Sequence, residues 1–171
     1  NPGQLKSFDT IDNAVIAGNG GAYFLTAAGG GGKTFVATGL INATHGRGDI
    51  ALAMASSGIA SLLLPKGATA HSTCKIPVSN LDKDSTLSIS EQSGRAQLMR
   101  ETKLIIWDEA PMCHRFALEA IDRTLRKLRK CPDKPFGGIV FVVMGDFRQV
   151  LPIVPRGNRH QIVKACFKNS K

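Results

Sequence analysis

The chain has 171 residues, enough for one domain of ordinary size to bury a core without disulfides or a metal. Its 22 Lys and Arg against 13 Asp and Glu leave a formal charge of +9, so the surface either attracts polyanions, nucleic acid being the commonest, or is merely basic and soluble. Four cysteines stand singly with no CxxC pair, which argues against a zinc ribbon or disulfide framework and for a reducing compartment. No apolar run approaches the roughly 18 residues of a membrane span. With no charged-then-apolar leader at its start, the chain is expected to be soluble, intracellular and away from membranes.

In chain order, residues 22–27 (AYFLTA) read as a buried strand and 33–44 (KTFVATGLINAT) as the helix after it. Residues 50–56 (IALAMAS) form the next strand and GIASLLL a short helix. The segment 80–94, rich in Ser and Asp, reads as an exposed excursion and the most mobile part of the chain; a short helix over RAQLMRE follows. The runs TKLIIWD (102–108) and GIVFVVMG (138–145) are continuous and apolar between polar or glycine punctuation, as strands buried on both faces must be.

Between those two runs, Leu118, Ile121, Leu125 and Leu128 fall on one helix face. The other side carries Arg115, Arg123, Arg126, Lys127, Arg129 and Lys130 against Glu119 and Asp122, and reads as a solvated face without DNA contact. Strand and helix alternate throughout, which predicts an α/β layer fold with a mostly parallel sheet.

The string AAGGGGKT (27–34) stands between the first strand and its helix. Four consecutive glycines maximise the backbone entropy lost on ordering, so packing alone is a poor reason for them. Against GxxxxGK[ST] the string matches at Gly32, Lys33 and Thr34, with Ala27 at the first glycine. In such a loop the N–H groups of Gly29, Gly30, Gly31, Gly32 and Lys33 turn inward on phosphate oxygens, and the helix behind presents its positive end. Lys33 is then expected at the β- and γ-phosphates and the Thr34 hydroxyl on Mg²⁺. A glycine-rich hairpin could produce a similar string; the flanking strand and helix argue against it.

In LIIWDEAPM (104–112) two adjacent carboxylates end an apolar strand, at the sheet edge where open α/β folds bind ligands. Asp108 is placed to hold Mg²⁺, and Glu109 to orient and deprotonate an attacking water. A phosphotransferase does not need that second carboxylate, so the pair favours a hydrolase over a strand ending in a solvated turn. The last strand runs into GDFRQVLPIV (145–154), where the Gln149 amide could sense a γ-phosphate. For Asp146 and Arg148, a local salt bridge and a direct role both stay open.

Taken in order, NPGQ, AAGGGGKT, ASSGIASLLLPKGATAHS, LIIWDEAPM, PFGG and GDFRQVLPIVPRG resemble superfamily 1 DNA helicases of the petite-integration-frequency (Pif) type, closest to the plant-like and Helitron-associated branch. The resemblance runs over nearly the whole chain. It implies a P-loop NTPase fold, RecA-like and three-layered, over residues 1–171 as the first of two motor domains. It also implies a monomer, a second RecA-like domain with arginines that complete the ATP site lying beyond Lys171, and ATP and Mg²⁺ as cofactors. Gln4 of NPGQ would bond the adenine edge, and Ser57, Gly58, Thr69 and His71 would lie along single-stranded DNA.

The same resemblance implies an ATP-dependent helicase working 5′ to 3′ in repair, recombination and telomere maintenance, in the nucleus or, alternatively, the mitochondrion. Two departures matter. Gly30, Gly31 and Gly32 stand together where relatives interleave Thr, which predicts a looser loop and weaker nucleotide binding. Cys74 stands where many relatives carry an aromatic, which puts one DNA stacking contact in doubt. A non-catalytic strand-binding remnant of a mobile element and a small-molecule P-loop kinase stay open as alternatives. Retention of Lys33, Thr34, Asp108, Glu109 and Gln149 together argues against the remnant, and the sequence carries no signature of the lid and acceptor pocket that a kinase needs.

Overall fold

Among the described residues, five strands join in one sheet of order β1-β5-β4-β2-β3, every neighbouring pair parallel: β1 (Gly21–Leu25), β2 (Ile50–Ala55), β3 (Ala68–Thr69), β4 (Thr102–Asp108) and β5 (Val140–Met144). The computed structural model describes residues 1–78, 80–146, 152, 154 and 158–170. The helices are α1 (Pro2–Ala17), α2 (Lys33–Gly46), α3 (Gly58–Ser61), α4 (Ala70–Cys74), α5 (Gly94–Glu101), α6 (Arg115–Leu128) and α7 (Arg159–Ala165). Among the described residues no helix is long and apolar enough to cross a membrane.

The central strands explain the layering. Along β4 and β5, side chains alternate between two cores. Ile105, Trp107, Phe141 and Val143 face one with Ile121 and Leu125 of α6 and Met99 of α5. Leu104, Ile106, Val140, Val142 and Met144 face the other with Ile11 and Val15 of α1 and Leu40 and Ile41 of α2. Each fully buried aliphatic or aromatic side chain contributes about 1.5–3 kcal/mol. A sheet covered on both faces by helices is the expected three-layer α/β fold.

Local chemistry sets the boundaries. Helix α1 is not announced by apolar spacing; Asn1 caps it by accepting the Gly3 N–H at 3.0 Å, Pro2 starts it, and Gly18 ends it in the left-handed region. A bidentate pair from Arg47 to Asp12, at 2.7 and 3.1 Å, docks it on α2. The last strand is shorter than the apolar run 138–145, because Pro135–Gly138 form a 3₁₀ turn before it. Helix α3 stops at Ser61, short of the expected 64, leaving Leu62 and Leu63 exposed.

The excursion 80–94 is mostly exposed, as expected, and is fastened at two points: Leu87 is buried and its N–H donates to Thr124 Oγ1 at 2.9 Å, while Arg123 donates to the Ser85 carbonyl at 2.6 Å. One expectation is corrected: the basic side of α6 is not simply solvated. Arg126 binds Asp122 at 2.7 Å and the Pro132 carbonyl at 2.6 Å, and Arg129 gathers the carbonyls of Gly137, Arg100 and Thr102. A guanidinium with five donors in a fixed fork suits this clustering of carbonyls.

Candidate functional site

Because every strand is parallel, the segments after β1, β5, β4 and β2 all emerge at one edge of the sheet. The glycine loop and the acidic pair therefore share that edge, with β5 between them. Two strand spacings separate β1 from β4, about 10 Å, which leaves room for a terminal phosphate between loop and acids.

The loop is closed by short contacts. Gly30 and Gly32 have φ of 73° and 84°, the region where a Cβ is disfavoured. At Gly31 a Cβ would lie 2.7 Å from the Ala27 Cβ and 2.9 Å from the Ala28 carbonyl oxygen. Gly32 leads directly into α2. Lys33, on its first turn, donates through Nζ to the carbonyls of Ala27 at 2.7 Å and Ala28 at 3.3 Å; Thr34 beside it is half-buried.

Gln4, on the first turn of α1, donates through Nε2 to the Gly31 carbonyl at 3.1 Å, and a Cβ on Gly32 would run into that amide. The triple glycine is thus braced from outside the loop. Asn1, Gly3 and Gln4 together with Leu25, Thr26 and the loop enclose a pocket of about 330 Å³.

At the end of β4, Asp108 is 5 % exposed. Burial pushes its carboxyl above the ordinary range, opposed by the Glu109 N–H and by Lys33. Glu109 is raised as well, first by burial, then by Asp108; Lys33 opposes and Asp146 adds. The positive charge of Lys33 opposes the upward push on both carboxyls, although it lies on the segment after β1 and they on the segment after β4. Glu109 has a left-handed backbone, φ 52° and ψ 27°. A residue in that conformation persists only where its surroundings hold it.

Asp146 is buried, and Gly145 brings it there: a Cβ at Gly145 would lie 2.5 Å from Pro111 Cδ. Only glycine lets the turn after β5 press against the turn after β4. Both roles left open for Asp146 remain open. Arg148 and Gln149 lie outside the described residues.

Next along the edge, the residues expected on DNA are divided in their use. Ser57 Oγ accepts the Ala60 N–H and Thr69 Oγ1 the Ser72 N–H, each at 3.2 Å, so both hydroxyls cap the short helices α3 and α4. Gly58 and His71 are exposed, and His71 lines a cleft of about 410 Å³ with Ser56, Pro77, Met112 and His114. Ile59 and Leu62 are each 82 % exposed beside Gly58. Cys74 is a correction: it is fully buried, its Sγ 3.5 Å from Met54 Sδ and its thiol pushed up to about 12 by burial. A residue pointing into the core beneath α4 does not stand in for a surface stacking group.

Ser56 is a residue that sequence reasoning passed over. Its Oγ accepts the Trp107 Nε1–H at 3.0 Å and the Cys113 S–H at 3.4 Å, and its N–H donates to the Asp108 carbonyl at 3.0 Å. A polar residue directly after a buried strand was the only available signal.

A family model described as PIF1-like helicase matches residues 1–171. The ATP-dependent DNA helicase RRM3 of Saccharomyces cerevisiae is 34% identical over 150 residues, 85% of this chain and 20% of that protein. The ATP-dependent DNA helicase Pif1 of a Psychrobacter species is 33% identical over 158 residues, 92% of this chain and 23% of that protein. The chain thus spans about a fifth of the length of these curated relatives. A crystal structure of Pif1 helicase from Bacteroides in complex with ADP-AlF3 and single-stranded DNA superposes with a TM-score of 0.76 at 27% identity, covering 96% of this chain and 38% of that one.

Proposed function

Because the chain belongs to the PIF1-like helicase family, we propose that it is the RecA-like nucleotide-binding motor domain of an ATP-dependent DNA helicase, coupling hydrolysis to 5′ to 3′ movement on single-stranded DNA in repair, recombination and telomere maintenance. The observation that carries this is the shared edge, where the parallel sheet brings the glycine loop with Lys33 and the Asp108–Glu109 pair out at the same end of the two strands that flank β5. A nucleoside triphosphate bound there has its phosphates on the amides of Gly29 to Lys33 and its adenine near Gln4. The Gln4 amide has a second task, bracing Gly31.

The raised carboxylates suit their roles. Glu109, pushed upward by burial and by its neighbours, is a better base toward an attacking water than an ordinary carboxylate. Thr34 and Asp108 form an oxygen-only donor set of the kind that suits a hard divalent cation. They would hold Mg²⁺, which when bound offsets charge on the β- and γ-phosphates. Gln149 senses the γ-phosphate from the segment after β5. Ser57, Gly58, Thr69 and His71 follow the DNA strand, the first and third through the turns they cap.

The protein acts as a monomer, in the nucleus or alternatively the mitochondrion, and a second RecA-like domain supplies the arginines that complete the ATP site. Such a group is worth about 10³- to 10⁵-fold in turnover, so this chain alone binds Mg-ATP weakly and hydrolyses it slowly. Titration with Mg-ATP tests the reading. Lys33→Ala removes charge-assisted bonds worth about 1.5–3 kcal/mol each and is expected to weaken binding by about 10- to 100-fold; equal affinity in wild type and variant overturns the nucleotide site. Brisk DNA-stimulated hydrolysis by this chain alone overturns the need for a second domain.

A further inference from the structure

We propose that Ser56 is a positioning residue that couples the DNA-facing segment to the acidic pair, an inference that rests on the helicase reading. A serine hydroxyl offers two acceptor lone pairs, and here Trp107 and Cys113 take one each. With its N–H on the Asp108 carbonyl, this one residue holds the chain on both sides of Glu109.

The partners on the acidic side are themselves fixed. Trp107 is fully buried and meets Phe167 edge-on at 5.4 Å. Burial raises the Cys113 thiol, so its S–H proton stays in place to donate. Glu109 occupies a left-handed conformation that needs external support. On the other side, the peptide bond from Ser56 leads straight to Ser57, the cap of α3, and then to exposed Gly58. A strand that draws on the turn at 57–58 moves Ser56, and with it the frame around Asp108 and Glu109. Rigid packing carries such shifts where flexible side chains would absorb them.

The test measures how far a saturating oligo-dT strand tightens Mg-ATP binding to this chain, read with a fluorescent ATP analogue in wild type, Ser56→Ala, Ser56→Thr and Trp107→Phe. Wild type and Ser56→Thr, which keeps the hydroxyl, are expected to show at least about fivefold tightening, the lower end of ordinary coupling. Ser56→Ala and Trp107→Phe each reduce it to less than about twofold, and the double variant is no worse than either single one. Without DNA, all four bind Mg-ATP within about threefold of one another.

The oligonucleotide also changes the emission of Trp107, the chain's single tryptophan, in wild type but not in Ser56→Ala. Undiminished tightening in Ser56→Ala overturns the coupling and leaves the helicase reading in place. So does a wild type that binds both ligands independently, or an equal loss in Ser56→Thr and Ser56→Ala with lowered unfolding midpoints, which marks a packing role. A wild type that binds neither ligand overturns both.

Discussion

After β4, Asp108 and Glu109 are held where burial pushes both carboxyls upward, whereas after β2 and β3 the hydroxyls of Ser57 and Thr69 are taken up as helix caps. The two regions sit on one sheet edge, yet they manage polarity in opposite ways. The acidic turn leaves ionisable groups short of compensation in the fold itself, an arrangement that destabilises the chain and suits groups whose work is done on a ligand. The capped turns satisfy their polar groups internally. What they present outward is shape, the exposed Gly58 and His71, and the apolar side chains of Ile59 and Leu62.

The largest effect that could break this contrast is on turnover. In the proposed helicase, Glu109→Gln is expected to lower hydrolysis by about 100- to 1,000-fold, within the range of a general base, with Mg-ATP affinity held within about threefold. Single-turnover hydrolysis beside a binding titration separates the two, and unimpaired turnover would remove the chemistry from this edge.

A middling effect tests the other side. Thr69→Ala deletes the acceptor for the Ser72 N–H and should cost about 1 kcal/mol of stability, measured by urea unfolding. If stability is untouched and only oligonucleotide affinity falls, the hydroxyl serves DNA and not the fold, and the contrast fails.

The smallest effect sharpens it. A carboxylate raised in the folded state disfavours folding once ionised, so the penalty from Asp108 is present at neutral pH. It fades as pH falls through the raised folded value toward the ordinary carboxylate range. Asp108→Asn should therefore unfold at a higher temperature than wild type at pH 7, with an advantage that narrows on acidification. A gap that stays constant or widens as pH falls would show that desolvation is not what burdens Asp108.

Some of this was plain in the residues. The stretches 104–107 and 139–144 have no polar interruption, and only strands covered on both faces accommodate that, so β4 and β5 could be read directly. The glycine string announced a turn that residues with a Cβ rarely adopt, and Gly30 and Gly32 do lie at positive φ. Other features could not be read. Helix α1 has only Ile11 and Val15 buried, too few to raise a periodic signal. The segment 80–94 is polar in composition yet pinned through Leu87 and Ser85 by residues of α6 nearly forty positions away.

By itself, then, the sequence determined the local facts: which runs form buried strands, where glycine must stand, and which side chains can ionise. Their types and near neighbours suffice for that, because pleat, turn and charge are properties of a few adjacent residues. The tertiary structure alone decided that Gln4 braces Gly31, that Gly145 must clear Pro111, that Cys74 faces the core and that Ser56 grips both flanks of Glu109. Each of those depends on strand order, and a parallel sheet brings to one edge residues that the chain keeps far apart.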